Sequence, residues 1–419
     1  MIPCGDILRW EVDNAFNGYL TNFLNNNENI LQKNGESIED AICENITKLK
    51  DSFWQRESFC YGIYDAKCIE DALEVFILSN NTGKQLDKSD LIIATLQTSW
   101  NNISAGDEID ALNKSLNSKF VGSKPFDRKK LLKIFLAVAP FNIPISYSIS
   151  AVNAEIIDYL EGYWPKFVSL MQNLITLTNA WGLNRNKALT SVNALIPVAV
   201  WLLKNSVNVV AENEIDKRNL EIARRWLLIA MVTSTFGGSS EQALSTARKV
   251  ILNIEGDDFP LLELLDELDE HNSYNLKNIE GVEDMIGSFS YKIGSNKTSI
   301  RQLLMLIRDE LNYDAEYHLD HIFPRATFER LHPEFVHKVE NLALLTGREN
   351  AIKSNQTPAT FWQNDRFNSR FRESNQLPVD KCIENNMAIY DDPIRLWECR
   401  FQEMTKRVFS MLNPEFVQS

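Results

Sequence analysis

The sequence predicts a mainly α protein: a multi-helix body with a small C-terminal ββα unit. Three observations predict it. Apolar residues recur at helical period through most of 126–280. Two short stretches, Tyr317 to Phe323 and Asn341 to Leu345, suit strands rather than helices. Directly after the second comes Thr346-Gly347-Arg348-Glu349, a capping box: a threonine oxygen accepts from an orphan amide, and a glutamate three residues on returns the bond.

The chain has 419 residues, enough for two or three domains. The expected divisions are 1–125, 126–280 and 281–419. In the first, Leu8 to Asn25 and Ile38 to Phe53 carry apolar residues at helical spacing behind acidic first turns. Ile69 to Leu96 predicts two helices meeting at a corner. The first turns Ala72, Leu73, Phe76 and Ile77 inward, and Gly83 stops it as the left-handed residue. The second starts at Asp87, with Asp90 three on, and runs through Ile92, Ile93 and Leu96. It is too apolar to lie in a DNA groove, so physics alone reads the corner as architecture.

In the second division, helices are expected over Arg128 to Val138, Ala154 to Thr178, Ala188 to Leu203, Arg218 to Thr235 and Gln242 to Leu252. Ser239-Ser240-Glu241-Gln242 is a further capping box. Trp201 and Trp226 read as core aromatics; stacking on a flipped base is the alternative. Asp257 to Glu270, acidic and leucine-rich, reads as a surface helix near a domain boundary. From 281 on, Ser288 to Tyr291 suits a short strand and Ile300 to Leu311 a supporting helix.

The chemistry concentrates after that helix. Asp320 and His321 are neighbours, so a regular strand would point them to opposite faces; they can serve one site only at a strand end. Asp320 offers a hard carboxylate oxygen, and Asn350, in the first turns of the capped helix, an amide oxygen. Few protein oxygens with positions left for water and phosphate is the usual way Mg²⁺ is held. His321 is the nearby group whose ordinary pKa lies near neutrality, so it can take a proton from water. Lys353 lies three residues beyond Asn350 on the same helix face. Four of the five histidines (His318, His321, His332, His337) fall in this region. His332 and His337, in the loop, read as structural or DNA-adjacent.

Asp320-His321-Ile322-Phe323-Pro324, then Asn341, then Asn350, resembles the pattern of the HNH (ββα-metal) nucleases. The resemblance implies that His321 is the general base and that Asp320 and Asn350 hold Mg²⁺ or Mn²⁺. It makes Asn341 the middle residue of the motif, positioning loop and histidine, with His318 a possible further site residue. A second resemblance lies in Phe76-x-x-x-Asn80-x-x-Gly83-x-x-Leu86-x-x-x-Asp90-Leu91. It is similar to the second half of the N-terminal domain of GmrSD-type modification-dependent (type IV) restriction enzymes. There a nucleotide-hydrolysing domain of ParB/sulfiredoxin-like fold precedes a C-terminal HNH nuclease. The Met1-Ile2-Pro3 opening resembles a mid-domain segment of that family. Its Asp-Gly-Gln-Gln-Arg nucleotide motif is absent from this chain, and no P-loop replaces it. Residues 1–125 are therefore expected to be an incomplete nucleotide-binding domain. Asn80 and Asp90 would line a pocket that a preceding segment or a separate subunit completes, and a nucleotide is expected only in that case.

Net charge is −14, unfavourable for a free-standing DNA binder. From Thr298 to the end the balance is about 15 basic to 18 acidic, so most of the acid excess lies upstream. Arg366 and Arg370 share a helix face and are interleaved with Phe367 and Phe371; with Arg400 they are candidate phosphate contacts, a solvated face being the alternative. Trp397 followed by Arg400 matches the restriction family's C-terminal pattern. Cys4, Cys43, Cys60, Cys68, Cys382 and Cys399 include no C-x-x-C pair, which favours reduced thiols in a cytoplasm over a zinc ribbon. No apolar run spans a bilayer, and no signal peptide is evident. The expected function is metal-dependent cleavage of double-stranded, modified phage DNA. The alternative is a DNA- or nucleotide-sensing scaffold whose nuclease site has degenerated.

Overall fold

A computed structural model of the chain describes residues 13–26, 32–33, 36–37, 39–54, 88–139, 154–210, 213–237, 240–292, 294, 296–308, 315–361 and 391–413. Helices dominate it. The chain divides into two compact units, 1–85 and 86–419. In the first, α1 (Asp13–Asn26) and α2 (Glu39–Trp54) flank a short antiparallel ribbon, β1 (Gln32–Lys33) with β2 (Glu36–Ser37). Phe16 and Ile46 are the buried centre of the helix pair, with Tyr19, Phe23 and Ile42 around them. Asn80 and the corner's first helix and glycine lie outside the described residues.

The second unit opens on α3 (Lys88–Ser99), whose Ile92, Ile93 and Leu96 are buried as their spacing requires. Then come α4 (Ala105–Asn117), α5 (Arg128–Val138), α6 (Ala154–Ala180), α7 (Leu195–Lys204), α8 (Glu214–Val232) and α9 (Ser240–Asn253). Asp127 caps α5 by accepting from the Lys130 amide, and Asn213 caps α8 by accepting from the Asp216 amide. The helix expected from Ala188 starts only at Leu195. Pro197 explains the delay: it has no N–H to give, so it sits in a first turn, where amides have no intrahelical partner anyway. Trp201 and Trp226 are fully buried, as core aromatics, which removes base stacking from their possible roles.

The acidic stretch forms α10 (Leu261–Glu267), a surface helix as expected: Glu263, Asp266 and Glu267 are exposed while Leu261, Leu264 and Leu265 turn into the core. Next come α11 (Ile279–Gly287) and α12 (Asn296–Ile307). A Cβ on Gly281 would lie 1.7 Å from the Asn275 carbonyl oxygen, so only glycine fits this close approach. Ser290 makes an isolated bridge to Lys338 rather than part of a strand.

β3 (Tyr317–His321) pairs antiparallel with β4 (Leu342–Thr346), Leu319 opposite Leu344 and His321 opposite Leu342. Between them lie α13 (Arg325–Phe328) and a 3₁₀ turn, Val339–Asn341; after them come α14 (Gly347–Lys353), α15 (Pro358–Phe361) and α16 (Pro393–Leu412). β3 stops two residues short of Phe323 because the chain turns there to begin α13 after Pro324. The period-two alternation of β4 builds two cores at once. Leu342 and Leu344 enter the main core; Ala343 and Leu345 enter a small cluster with Ile322, Phe323, Phe361, Leu396 and Trp397. α16 serves both, through Leu396 and Trp397 at its start and Met404, Val408 and Leu412 further on.

The main core runs from Ile92 to Leu412 without a break, so the expected boundaries near 125 and 280 do not divide it. Cys399 is disulfide-bonded and Cys43 is free, which corrects the expectation of thiols that are all reduced.

Candidate functional site

The hairpin has two working faces. Residues directly opposite in an antiparallel pair share a face, so His318 and Asp320 lie with Leu345 and Ala343, while Leu319 and His321 lie with Leu344 and Leu342. On the first face stands α14. It forms because Thr346 accepts from the Glu349 amide at 3.3 Å while the Glu349 carboxylate takes the Thr346 N–H at 2.6 Å, completing the capping box. The His318 ring reaches this helix start, its Nε2 lying 3.8 Å from the position a Cβ on Gly347 would take. Further along, the buried Lys353 ammonium lies 2.8 Å from Asp320 Oδ2. The contact is a charge pair off hydrogen-bond alignment, because Oδ2 is buried and has no hydrogen-bond donor. Asn350, half-buried on α14, gives its backbone carbonyl to the Ser354 amide; its carboxamide meets no partner among the described residues.

His321 closes β3 on the other face and is 8% exposed. The Tyr291 ring meets it edge-on, with centroids 5.1 Å apart. Its Nε2 lies 3.4 Å from Nδ1 of His337, and Nε2 of His337 lies 2.9 Å from Glu329 Oε1. Arg325 holds the other Glu329 oxygen at 2.9 Å. Burial, then the charge of His337, pushes the His321 imidazole down to about 4; Asp320 works against this, while Lys353 and Arg325 add to it. The ring is therefore neutral at pH 7. Glu329 is held at about 2, first by its bond from His337 and then by Arg325.

Asn341 is fully buried and makes no direct contact with His321 among its described bonds. Its Oδ1 accepts from the Phe323 amide at 2.8 Å, and its Nδ2 donates to the carbonyls of Val336 at 2.7 Å and Phe323 at 3.2 Å. Its backbone carbonyl takes the Ile322 amide at 2.7 Å. It thus pins the chain immediately after His321 and immediately before His337. That makes it a positioning residue.

Asp320 and His321 point to opposite faces, as neighbours on a strand must, and are coupled through charge around the strand end. Arg400 needs correction as a phosphate contact. It is fully buried and donates to the carbonyls of Val339 at 3.1 Å and Glu340 at 2.6 Å, supporting the turn that carries Asn341. Burial pulls its guanidinium down to about 9, still protonated at neutral pH. Arg366 and Arg370 lie outside the described residues. Asp90 is exposed in the first turn of α3, and its charge helps hold the Arg128 guanidinium protonated.

Sequence reasoning missed the contact of His337 with His321 and the part of Glu329 and Tyr291 in that environment. The clustering of histidines was the available signal, but their mutual orientation had none. His332 packs edge-on against Trp397, with centroids 5.5 Å apart, a structural role.

A divalent cation can be weighed against these residues. Asp320 Oδ2 is a buried carboxylate oxygen without an aligned hydrogen-bond donor, and Asn350 is a half-buried amide on α14; oxygens of these kinds suit one, and the lysine beside Asp320 shows that the position already attracts positive charge. No group of three or more His, Cys, Asp and Glu that could hold a metal occurs among the described residues. A Mg²⁺ site of few protein ligands needs none. No protein-family model matches the chain, and no curated protein is a significant match.

Proposed function

We propose that the chain is a metal-dependent endonuclease that hydrolyses phosphodiester bonds of double-stranded DNA, of the HNH (ββα-metal) kind. We assign it to a restriction system similar to the GmrSD type that acts on modified phage DNA. The observation that carries this is the hairpin and capped helix, with Asp320 paired to Lys353 of that helix, Asn350 one turn earlier on it, and a neutral imidazole ending the same strand. Asp320 and Asn350 would hold Mg²⁺ or Mn²⁺. When bound, the metal supplies charge stabilisation at the phosphate and the leaving oxygen. His321, neutral at pH 7, takes the proton of the attacking water. Asn341 keeps the strand end in place. Lys353 shares the Asp320 charge and gives way, or moves, as cation and phosphate enter.

The main arm of the test is nicking of supercoiled plasmid, modified against plain, with Mg²⁺ or Mn²⁺. His321→Ala should lose ~10²–10⁴ in rate; cutting at the wild-type rate would reject the assignment. Asn350→Ala should weaken Mn²⁺ binding by calorimetry, and unchanged affinity would remove Asn350 as a ligand.

A second reading has its own support. A lysine already neutralises Asp320, and His321 is almost wholly buried. Both suit a DNA- or nucleotide-sensing scaffold with a degenerate nuclease site, which would bind ligand without turnover. On either reading double-stranded DNA is the partner we propose, with the Asp-Gly-Gln-Gln-Arg motif supplied by a preceding segment or by a separate subunit. No helix among the described residues is long and apolar enough to cross a membrane. We place the protein in the cytoplasm, where phage DNA is met; the Cys399 disulfide counts against that placement.

A further inference from the structure

A cleft of about 270 Å³ opens between α5, α6, α7 and α9. From α6 come Tyr159, Tyr163 and Lys166, whose i, i+4, i+7 spacing puts them on one helix face. The end of α7 contributes Lys204, and α9 contributes Arg248 and Leu252. Three of the described lining residues are cations and none is Asp or Glu, in a chain with 57 acidic against 43 basic residues. Residues 140–153, which join α5 to α6, contain no Asp or Glu either. Tyr159, 41% exposed, stacks on the buried Tyr163 ring with centroids 5.6 Å apart and planes 23° apart. We propose that this cleft binds a small phosphate ester carrying a flat ring, a mononucleotide in size and chemistry. Its phosphate lies among Lys166, Lys204 and Arg248, and its ring against Tyr159. The site is separate from the hairpin and does not rest on the nuclease reading.

Two of the cations also serve the fold. Arg248 donates to the Ala139 carbonyl at the end of α5 at 2.9 Å. Lys204 donates to the Ile251 and Ile254 carbonyls at the end of α9, at 3.0 and 2.6 Å. A helix C-terminus carries only about half a negative charge, so two such ends leave two whole cations about half compensated. Lys166 is exposed and adds a third, its Nζ 5.6 Å from the Tyr163 ring centre. An ammonium has three hydrogens, so Lys204 keeps one beyond its two carbonyls. Burial, with Tyr159 adding to it, pushes the Tyr163 hydroxyl up to about 12, so that ring brings no negative charge at neutral pH. The positive charge left over suits an anion, and a phosphate has oxygens enough for several separate donors. The tyrosine pair, with Leu203 and Leu252 also lining the cleft, favours an occupant with a flat apolar face, which every base has. Ligand pockets run from about 300 to 1,000 Å³, so a cleft at the bottom of that range has room for one nucleotide rather than several.

The test is calorimetry on the full chain in EDTA at low salt, with AMP, adenosine and inorganic phosphate as probes. AMP should bind ~10-fold or more tighter than either of the others and lose affinity as salt rises. Lys166→Gln should weaken AMP by ~10-fold or more. Tyr159→Ala should weaken it by ~5 to ~100-fold, the range for removing a ring on which a base stacks. Both side chains are exposed, so both variants should melt with the wild type, which separates lost binding from lost fold. Lys166→Arg should restore binding. AMP binding that ignores both variants lies elsewhere in the molecule and overturns the proposal, as does AMP that binds no tighter than adenosine or phosphate. A single-stranded oligonucleotide that binds through Lys166 and Tyr159 where AMP does not would make the cleft a strand groove and overturn it too.

Discussion

Asn341 makes three side-chain hydrogen bonds in a site with no access to water. Cutting it back strands a buried amide and two buried carbonyls, and unmet buried groups cost more than their bonds contribute when made. Asn341→Ala should therefore destabilise the protein by ~2–4 kcal/mol, read as a lower denaturant midpoint; loss of nuclease activity with an unchanged midpoint would instead give Asn341 a role at the substrate. His321 has a stability signature of its own. Its folded pKa of about 4 lies below its ordinary 6.5. Between those values the unfolded chain binds the extra proton and the folded one does not, so stability is full above pH 6.5 and falls as the pH drops toward 4. The loss is on the order of 3 kcal/mol at most. His321→Gln should flatten that acid limb in denaturant titrations at pH 7 and pH 4.5; an unchanged slope would contradict the burial argument.

At the scale of elements, the hairpin holds its place by what stands at its ends. Thr346 ends β4 and caps α14 in the same residue, so strand register and helix start are locked together. Thr346→Ala should cost ~1 kcal/mol and should loosen Lys353 and Asn350 together, visible as faster amide exchange through 347–353. α16 contributes the other support. Arg400 reaches under the Val339–Asn341 turn and lies within charge range of Glu340, whose carboxyl burial pushes up. Arg400→Met removes the donor to the buried Val339 and Glu340 carbonyls, and leaving buried acceptors unmet costs ~1–3 kcal/mol. The melting temperature should fall while the salt dependence of DNA binding stays the same. A lower salt slope would restore Arg400 as a phosphate contact.

For the whole molecule the telling feature is the continuous core from Ile92 to Leu412. Helices of the middle stretch and the strand carrying the site share one set of buried side chains, and α16 returns from the far end of the chain to complete it. Elements that share a core lose it together. Hydrogen exchange in rising denaturant should therefore deprotect α8, β4 and α16 at one midpoint. Separate midpoints for 126–280 and 281–419 would mean two domains after all. The residues of 1–85 form their own unit and are expected to open independently. The net charge of −14 belongs to this scale as well: it disfavours non-specific DNA binding.

The sequence by itself determined the elements whose causes are local. The apolar spacing of Arg128 to Val138 returns as α5 residue for residue, the Thr346–Glu349 box starts α14 where its chemistry demands, and two short strands flank the loop. Hydrogen bonds and caps within a few residues of each other are written in order along the chain. The tertiary structure alone decided which charges are buried and which side chains meet. Arg400 looks like any surface cation in sequence, and 60 residues separate it from the Glu340 carbonyl it serves. His337 lies 16 residues from His321, and no periodicity encodes the angle between their rings. Lys353 closes on Asp320 only because β3, β4 and α14 pack as they do. Such contacts depend on how separate elements are brought together in space, and a linear pattern carries no record of that.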